Sequence, residues 1–447
     1  MSPEELEAAI MAANTINLEI YYYWCTGFMI LIHAGFMMYE MGASRVKHTL
    51  AAGTKNILAF AYMIPTFWMF GWWIYLAMTN GFIPDFEAGA GGVPWGENMG
   101  PNIMDNATGV FWGAFTLFAC TTASIMSGAV IERIRMTAFI ILAVVLGSVV
   151  WVLAASWGWH YLGWMVTSWG YHDFGASGVV HMISGFFALG VLIHLGPRIG
   201  KFNADGSANV IVGHSLPMTM VGLMFIVAGF FGFLAACLIF PGTPISWSAT
   251  QWANIYGMPT TLSAITFNTL MAVAGGMIGA YTKTRDPFWM MSGALCGVIS
   301  AAAGMDLYYP GLAFVLAFFG GVTAPMIAKF IESKGIDDPV GAVAVHGYCG
   351  ILGLLFAGMF LGGYPQFSPD IPVVTFMGQF KGAIVMALLG FIPGFAIAWA
   401  LKKAGILRAS DAIQAAGMDV EVEAVAYPEE IKSTSAAYPE GIEKTIS

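Results

Sequence analysis

Eleven apolar runs, each close to a membrane thickness in length and almost free of charge, leave this chain few folds to choose from. They fall at roughly 16–39, 56–80, 108–131, 136–158, 175–196, 215–240, 261–282, 288–305, 311–331, 340–362 and 378–401. A soluble domain carries about 25% charged residues; here the share is 10%, beside 58% hydrophobic residues. In lipid every backbone N–H and C=O needs a partner within the protein, and helices supply one inside each segment. The expected fold class is therefore all-α, a polytopic membrane protein with 11 transmembrane helices. The 55 glycines suit close helix packing, and the 15 tryptophans and 16 tyrosines suit belts at the two interfaces.

An odd number of spans puts the termini on opposite sides, and the basic residues say which. Arg45, Lys47 and Lys55 read as lying between spans one and two, and Arg133 and Arg135 between three and four. Arg198 and Lys201 follow span five, Lys283 and Arg285 span seven, and Lys329 and Lys334 span nine. With Lys402 and Lys403 at the end of span eleven and Arg408, Lys432 and Lys444 in the tail, sixteen of the 17 Lys and Arg fall on one side, Lys381 being the exception. By the positive-inside rule that side is the cytoplasm, in a cell (plasma) membrane, with the N-terminus outside. Residues 1–403 read as a membrane domain and 404–447 as a cytoplasmic tail. The tail is polar and acidic and repeats A-Y-P-E at 426–429 and 437–440. Opposite charge predicts that Leu407–Tyr427 orders against the basic loops and that Pro428–Ser447 is mobile. The loop 81–107 carries Asp85, Glu87, Glu97 and Asp105 without Lys or Arg, either a cation-attracting exterior or an ordinary solvated loop.

The N-terminus, M-S-P-E-E-L-E, is acidic where a cleavable signal would be basic. Cys25, Cys120, Cys237, Cys296 and Cys349 all fall in apolar segments without metal spacing and read as buried thiols. No nucleophile–base arrangement or metal cluster is visible in the sequence. The chain is not expected to be an enzyme, to need a cofactor or to bind nucleic acid.

Ionisable side chains inside apolar spans are expensive, so they are read as functional first. The stretch Asp173–Gly185, D-F-G-A-S-G-V-V-H-M-I-S-G, opens span five with an aspartate and carries His181; Asp337-Asp338-Pro339 and then His346 open span ten. These spans run in opposite directions, and the two histidines come within about one and a half helical turns of the same depth. They close two five-span halves (1–5 and 6–10), the arrangement of an inverted repeat with a site near the midplane, plus an eleventh helix. A single histidine could be a ring bonded inside the bundle; two matched in depth point to a lined pathway. Asp173 reads either as a helix cap or as a substrate contact, and Asp337 and Asp338 likewise cap span ten.

Several stretches, in order along the chain, resemble the ammonium transporter (Amt/Mep/Rh) family. They are A-G-F-M-M-Y-E-M-G (34–42), F-A-C-T-T (118–122), S-G-A-V-I-E-R-I-R (127–135), D-F-G-A-S-G-V-V-H (173–181), H-S-L-P-M (214–218), G-F-F-G-F (229–233) and D-D-P…V-H-G-Y-C-G (337–350). The resemblance implies a homotrimer in membrane lipid with one narrow apolar pore per protomer. It implies pore histidines at His181 and His346, an outer gate of stacked phenylalanines at Phe118 and Phe233, and a vestibule tryptophan at Trp159, with Trp157 or Trp164 as alternatives. Cys237 stands where relatives have a serine that binds the cation; Phe230 and Leu234 replace a tryptophan and an asparagine. Gly341 and Ala114 stand where an aspartate and an outer phenylalanine are common. The implied activity is recruitment of ammonium, its deprotonation and conduction of ammonia. An ammonium-binding sensor that signals through a separate partner is the alternative, and a facilitator of neutral gas a third reading. A cytoplasmic PII-type signalling protein is the implied partner.

Overall fold

The computed structural model describes residues 1–95, 108–239 and 252–420. Among these, nine helices are long and apolar enough to cross a membrane. The other two expected spans fall on the first helix, which carries His33 and Glu40 in its apolar part, and on a helix of 16 residues. In chain order the helices are α1 (Pro3–Ala43), α2 (Thr49–Ala77), α3 (Thr108–Ala129), α4 (Met136–Gly158) and α5 (Ser177–Leu195). There follow α6 (Leu216–Ala235), α7 (Leu262–Thr284), α8 (Pro287–Ala302), α9 (Pro310–Ser333), α10 (Val343–Phe360) and α11 (Phe376–Lys403). The molecule is a mostly helical, multi-pass membrane protein.

Helix α1 starts well before the apolar run at 16 because its first turn is fully capped. Ser2 accepts from Glu5 N–H while the Glu5 carboxylate accepts from Ser2 N–H, and Pro3 occupies the first turn. At ~1.5 Å per residue its 41 residues are roughly twice the length needed for the hydrocarbon core. Helix α2 likewise starts at Thr49, so Lys55, read from sequence as a loop cation, lies inside it and is buried.

Two crossings depend on the absence of side chains. At Gly222 of α6 an added Cβ would lie 2.4 Å from Tyr39 N, so α1 and α6 touch backbone to backbone. At Gly185 of α5 a Cβ would lie 2.2 Å from Gly347 N of α10. Those glycines sit four residues after His181 and one after His346, so this crossing joins the two spans beside their histidines.

At one end of the bundle a small antiparallel sheet of order β1-β2-β3 is formed by Leu238–Ile239, Trp252–Asn254 and Pro259–Thr260. Next to it Tyr256 donates to Gly158 O at 2.7 Å and accepts from Asp173 N–H at 3.0 Å. Of the acidic loop 81–107, Asp85 caps a short helix, Phe86–Gly89, and Glu97 and Asp105 lie outside the described residues.

At the other end the basic loops are not free. Arg198 forks onto Asp337 with two bonds of 2.9 Å, and Arg45 binds Glu132 at 2.6 Å. Lys201 bonds Glu332. Arg133 is fully buried and donates to Gly196 O at 2.8 Å and Asp337 O at 2.6 Å. Burial raises the pKa of Asp337, but Arg133 and Arg198 outweigh it and hold it down at about 2. Glu132 is held below the usual carboxylate range in the same way, burial being overcome by Arg198 and Arg45.

The tail from Leu407 to Val420 lies on these loops, but not through opposite charge. Main-chain bonds run from Ala409 N–H to Arg133 O at 2.9 Å and from Arg135 N–H to Leu407 O at 3.2 Å. Arg408 donates to Leu195 O and Pro197 O, and Lys47 to Ala415 O. The carboxylate of Asp419 binds the main chain of α2, accepting from Ala51 N–H at 2.8 Å. Arg45, Arg198 and Lys201 are already paired with Glu132, Asp337 and Glu332, so the tail docks through main-chain groups and the side chains bonded to them. Residues 421–447, including the rest of the expected ordered stretch, the mobile stretch and both A-Y-P-E repeats, lie outside the described residues. The five cysteines are buried and unpaired.

Candidate functional site

The two histidine-bearing helices begin alike. Each opens with an aspartate, then a left-handed residue three positions on, then a wide π-type turn that ends near the histidine. On α5 these are Asp173, Ala176 (φ 69°) and His181; on α10 they are Asp338, Gly341 (φ 72°) and His346. Asp173 Oδ2 accepts from Gly178 and Val179 N–H at 2.9 and 2.8 Å. Asp338 accepts from Ala342 and Val343 N–H at 2.9 and 2.7 Å. Free N–H groups at a helix start need such acceptors. The capping alternative is thus what the geometry displays for Asp173, whose other oxygen, Oδ1, has no partner among the described residues. Of the two aspartates before Pro339 only Asp338 caps, since Asp337 is engaged by Arg198. Gly341 explains itself locally: glycine adopts the left-handed conformation at no steric cost.

Equal spacing from equivalent caps brings the rings together. His181 Nδ1 and His346 Nδ1 are 3.1 Å apart, with ring centroids at 5.2 Å. A bond between two like nitrogens needs a proton on one and a lone pair on the other, and it leaves each Nε2 outside it. From His181 an aromatic file continues. Phe233 is 6.0 Å from His181, Phe118 is 4.4 Å from Phe233 at 66°, and Trp159 is 4.9 Å from Phe118 at 82°. All five side chains are buried, and the phenylalanine pair meets edge to face rather than in the expected stack, each ring being also held by its other neighbours in the file.

Trp159 is anchored by Nε1 donating to Asp173 O at 2.7 Å. The alternative Trp157 packs against Phe82 and Trp164 instead, so of the three tryptophans Trp159 is the one against Phe118. Cys237 is buried at the end of α6, with its thiol donating back to Phe233 O at 3.4 Å. Phe230 stands edge-on to Phe233 at 6.1 Å; Leu234 is buried close to Gly175; Ala114 is buried in α3.

Buried polar groups outside the sequence reading include His172 and Asp306, 3.3 Å apart, and Glu40. Glu40 of α1 is fully buried, with Oε2 accepting from Asn56 Nδ2 at 3.0 Å and lying 3.5 Å from Lys55 Nζ. Ser127 donates to its other oxygen, and Lys55 donates to Ser127 O at 2.8 Å. A carboxylate directly at the end of the apolar run 16–39 is the available signal. The signal is weak because a charge at the edge of an apolar run, with Lys55 at the edge of the next, looks like an ordinary loop boundary.

Comparison with known proteins gives this geometry its context. Residues 20–427 match the model of the Ammonium Transporter Family. The chain is 31% identical to the ammonium transporter Amt2 of Archaeoglobus fulgidus, over 92% of this chain and 89% of that protein. It is 28% identical to the ammonium transporter Amt1 of Methanocaldococcus jannaschii, over 93% and 98%. A solved structure described as a Sensor Amt Protein superposes with a TM-score of 0.75 at 26% identity, covering 92% of this chain and 99% of that one. The chain belongs to the ammonium transporter family.

Proposed function

We propose that the chain is a channel-like ammonium transporter with its path along the file Trp159–Phe118–Phe233–His181–His346. The observation that carries this reading is the continuity of the file: five buried rings, each against the next, ending on two bonded imidazoles. Trp159 and Phe118 attract the cation by ring-face contact, worth ~0.5–2 kcal/mol. Cys237 and the capped Asp173 set the polarity of the vestibule beside them, with Phe230 filling the space a larger ring occupies in relatives. The edge-on rings of Phe118 and Phe233 turn aside to pass substrate. Beyond them an isolated charge meets a dry interior at prohibitive cost. Ammonium escapes that cost by giving up a proton; potassium, of similar size, cannot. The histidine pair then offers a donor and an acceptor to ammonia and can share the separated proton.

By the positive-inside rule the end bearing Arg45, Arg133 and Arg198 faces the cytoplasm, in the plasma membrane, and the sheet end faces outward. Three copies assemble, each with its own path, and the docked tail is the surface a PII-type protein would read. The deciding experiment records current across membranes reconstituted with the purified protein. Current on ammonium pulses and none on potassium pulses is the expected result. The sensor reading is favoured by one specific observation, the likeness to the solved Sensor Amt Protein. Binding of ammonium with no current and no ammonia flux would select it.

A further inference from the structure

Between the histidine pair and the basic loops lies a small void of about 10 Å³, the room of a single water or ammonia molecule. His346 and Glu40 both line it, with Phe36, Ile125 and Val340 as apolar walls. Gly128 keeps it open: a Cβ there would stand 2.6 Å from Val340 Cγ2 and 3.6 Å from Glu40 Oε1. An imidazole and a carboxylate therefore share one molecule-sized space, in a bundle where a buried carboxylate is costly unless it is supported. The support is on three helices. Lys55 and Asn56 of α2 and Ser127 of α3 hold the carboxylate of α1, and Lys55 Nζ also stands 5.2 Å from the Phe139 ring centre. The remaining polar groups on the void are His346 and Tyr39, whose hydroxyl is 2.8 Å from Ser292 Oγ.

We propose that Glu40 is the inner proton station of the pathway, a role that rests on the path through His181 and His346. The proton leaving the histidine pair crosses the void, which has room for one water molecule to carry it, and binds a Glu40 oxygen. The carboxylic acid then protonates the departing ammonia. The O–H bond breaks, the nitrogen lone pair takes the proton, and the products are a carboxylate and ammonium, with charge conserved. Lys55, Asn56 and Ser127 stabilise the carboxylate that this step regenerates. The competing role for the same residues is bracing of α1 against α2 and α3, which is indifferent to proton traffic.

The test uses the full chain in proteoliposomes and two signals: current on an ammonium pulse, and ammonia entry read as alkalinisation of the lumen by a trapped dye. Two variants are compared, Glu40→Gln and the double variant Glu40→Gln/Lys55→Met, which leaves no unpaired buried charge should the single variant fail to fold. A proton station predicts that current falls by about tenfold or more while alkalinisation persists. Current retained in either variant overturns the proposal, as does loss of both signals in both variants, the outcome of a brace. His181→Ala runs alongside. If it changes neither signal, the histidine pathway itself fails, a result distinct from any failure of Glu40.

Discussion

A 3.1 Å bond between two Nδ1 atoms ties each histidine to the other's protonation state, so neither is dispensable on the proposed pathway. Alanine at His181 or His346 is expected to lower selective ammonium current by roughly tenfold or more, the loss of about 1.4 kcal/mol of stabilisation. A rise in potassium leakage would accompany it, because the vacated volume admits water. Parental currents and selectivity in both single variants would rule out a route between these rings. Cys237 makes a finer case. Its thiol donates to Phe233 O, and sulfur is a poor acceptor for a cation's N–H groups. A serine could make the same back-bond and still offer oxygen lone pairs to ammonium. Cys237→Ser is therefore expected to tighten binding by up to about 1 kcal/mol. Isothermal titration reads this directly, and unchanged affinity would mean that the side chain does not meet the substrate.

At the scale of the helix the histidines depend on how α5 and α10 begin. Asp338→Ala removes the acceptor of two N–H groups and is expected to cost about 1–2 kcal/mol. It should also reduce ammonium current through displacement of His346, and a variant with parental melting and current would make the cap irrelevant. Asp337, its neighbour, serves the loops. Its pKa sits at about 2, below the ordinary 3.8, so the stability it contributes is present above pH ~4 and is lost as pH falls toward 2. The loss amounts to about 2 kcal/mol, and Asp337→Asn should melt at a lower temperature near neutrality with a flatter acid limb. An acid limb identical to the parent would mean that other carboxylates govern it. The paired caps were half legible in sequence: both aspartates and the equal histidine spacing are visible in D-F-G-A-S-G-V-V-H and D-P-V-G-A-V-A-V-H. The wide turns between them have no hydropathy pattern of their own. Lys55 was misplaced for a related reason, since a window of apolar residues ends at a charge even when the helix continues and the charge is paired inside.

For the whole molecule, the helical, multi-pass class was written in composition, because lipid demands an internal partner for every backbone group of a segment; of the eleven expected spans, nine are helices long and apolar enough to cross among the described residues. Attachment of the tail was not, because it runs through side chains bonded to main-chain groups and two main-chain bonds, not through pairs of opposite charge. Ala409 N–H, Leu407 O and the Arg408 guanidinium link the tail to Arg133, Arg135, Leu195 and Pro197, while Ala415 and Asp419 reach Lys47 and Ala51. The tail thus joins the loops after α1, α3 and α5, the same loops that Glu132, Arg198 and Asp337 bind to one another. Arg133 belongs to both sets, donating its side chain to Asp337 O and lending its carbonyl to Ala409. Removal of residues 405–447 should therefore strip acceptors and donors from a buried ion network rather than trim a free end. The truncated protein is expected to melt at a lower temperature and to lose part of its ammonium current. The proposed response to a PII-type protein should be lost with it, measured with the two proteins at the basic face of reconstituted vesicles. Parental stability, full current and an unchanged response would show that the tail, though docked, transmits nothing to the pathway.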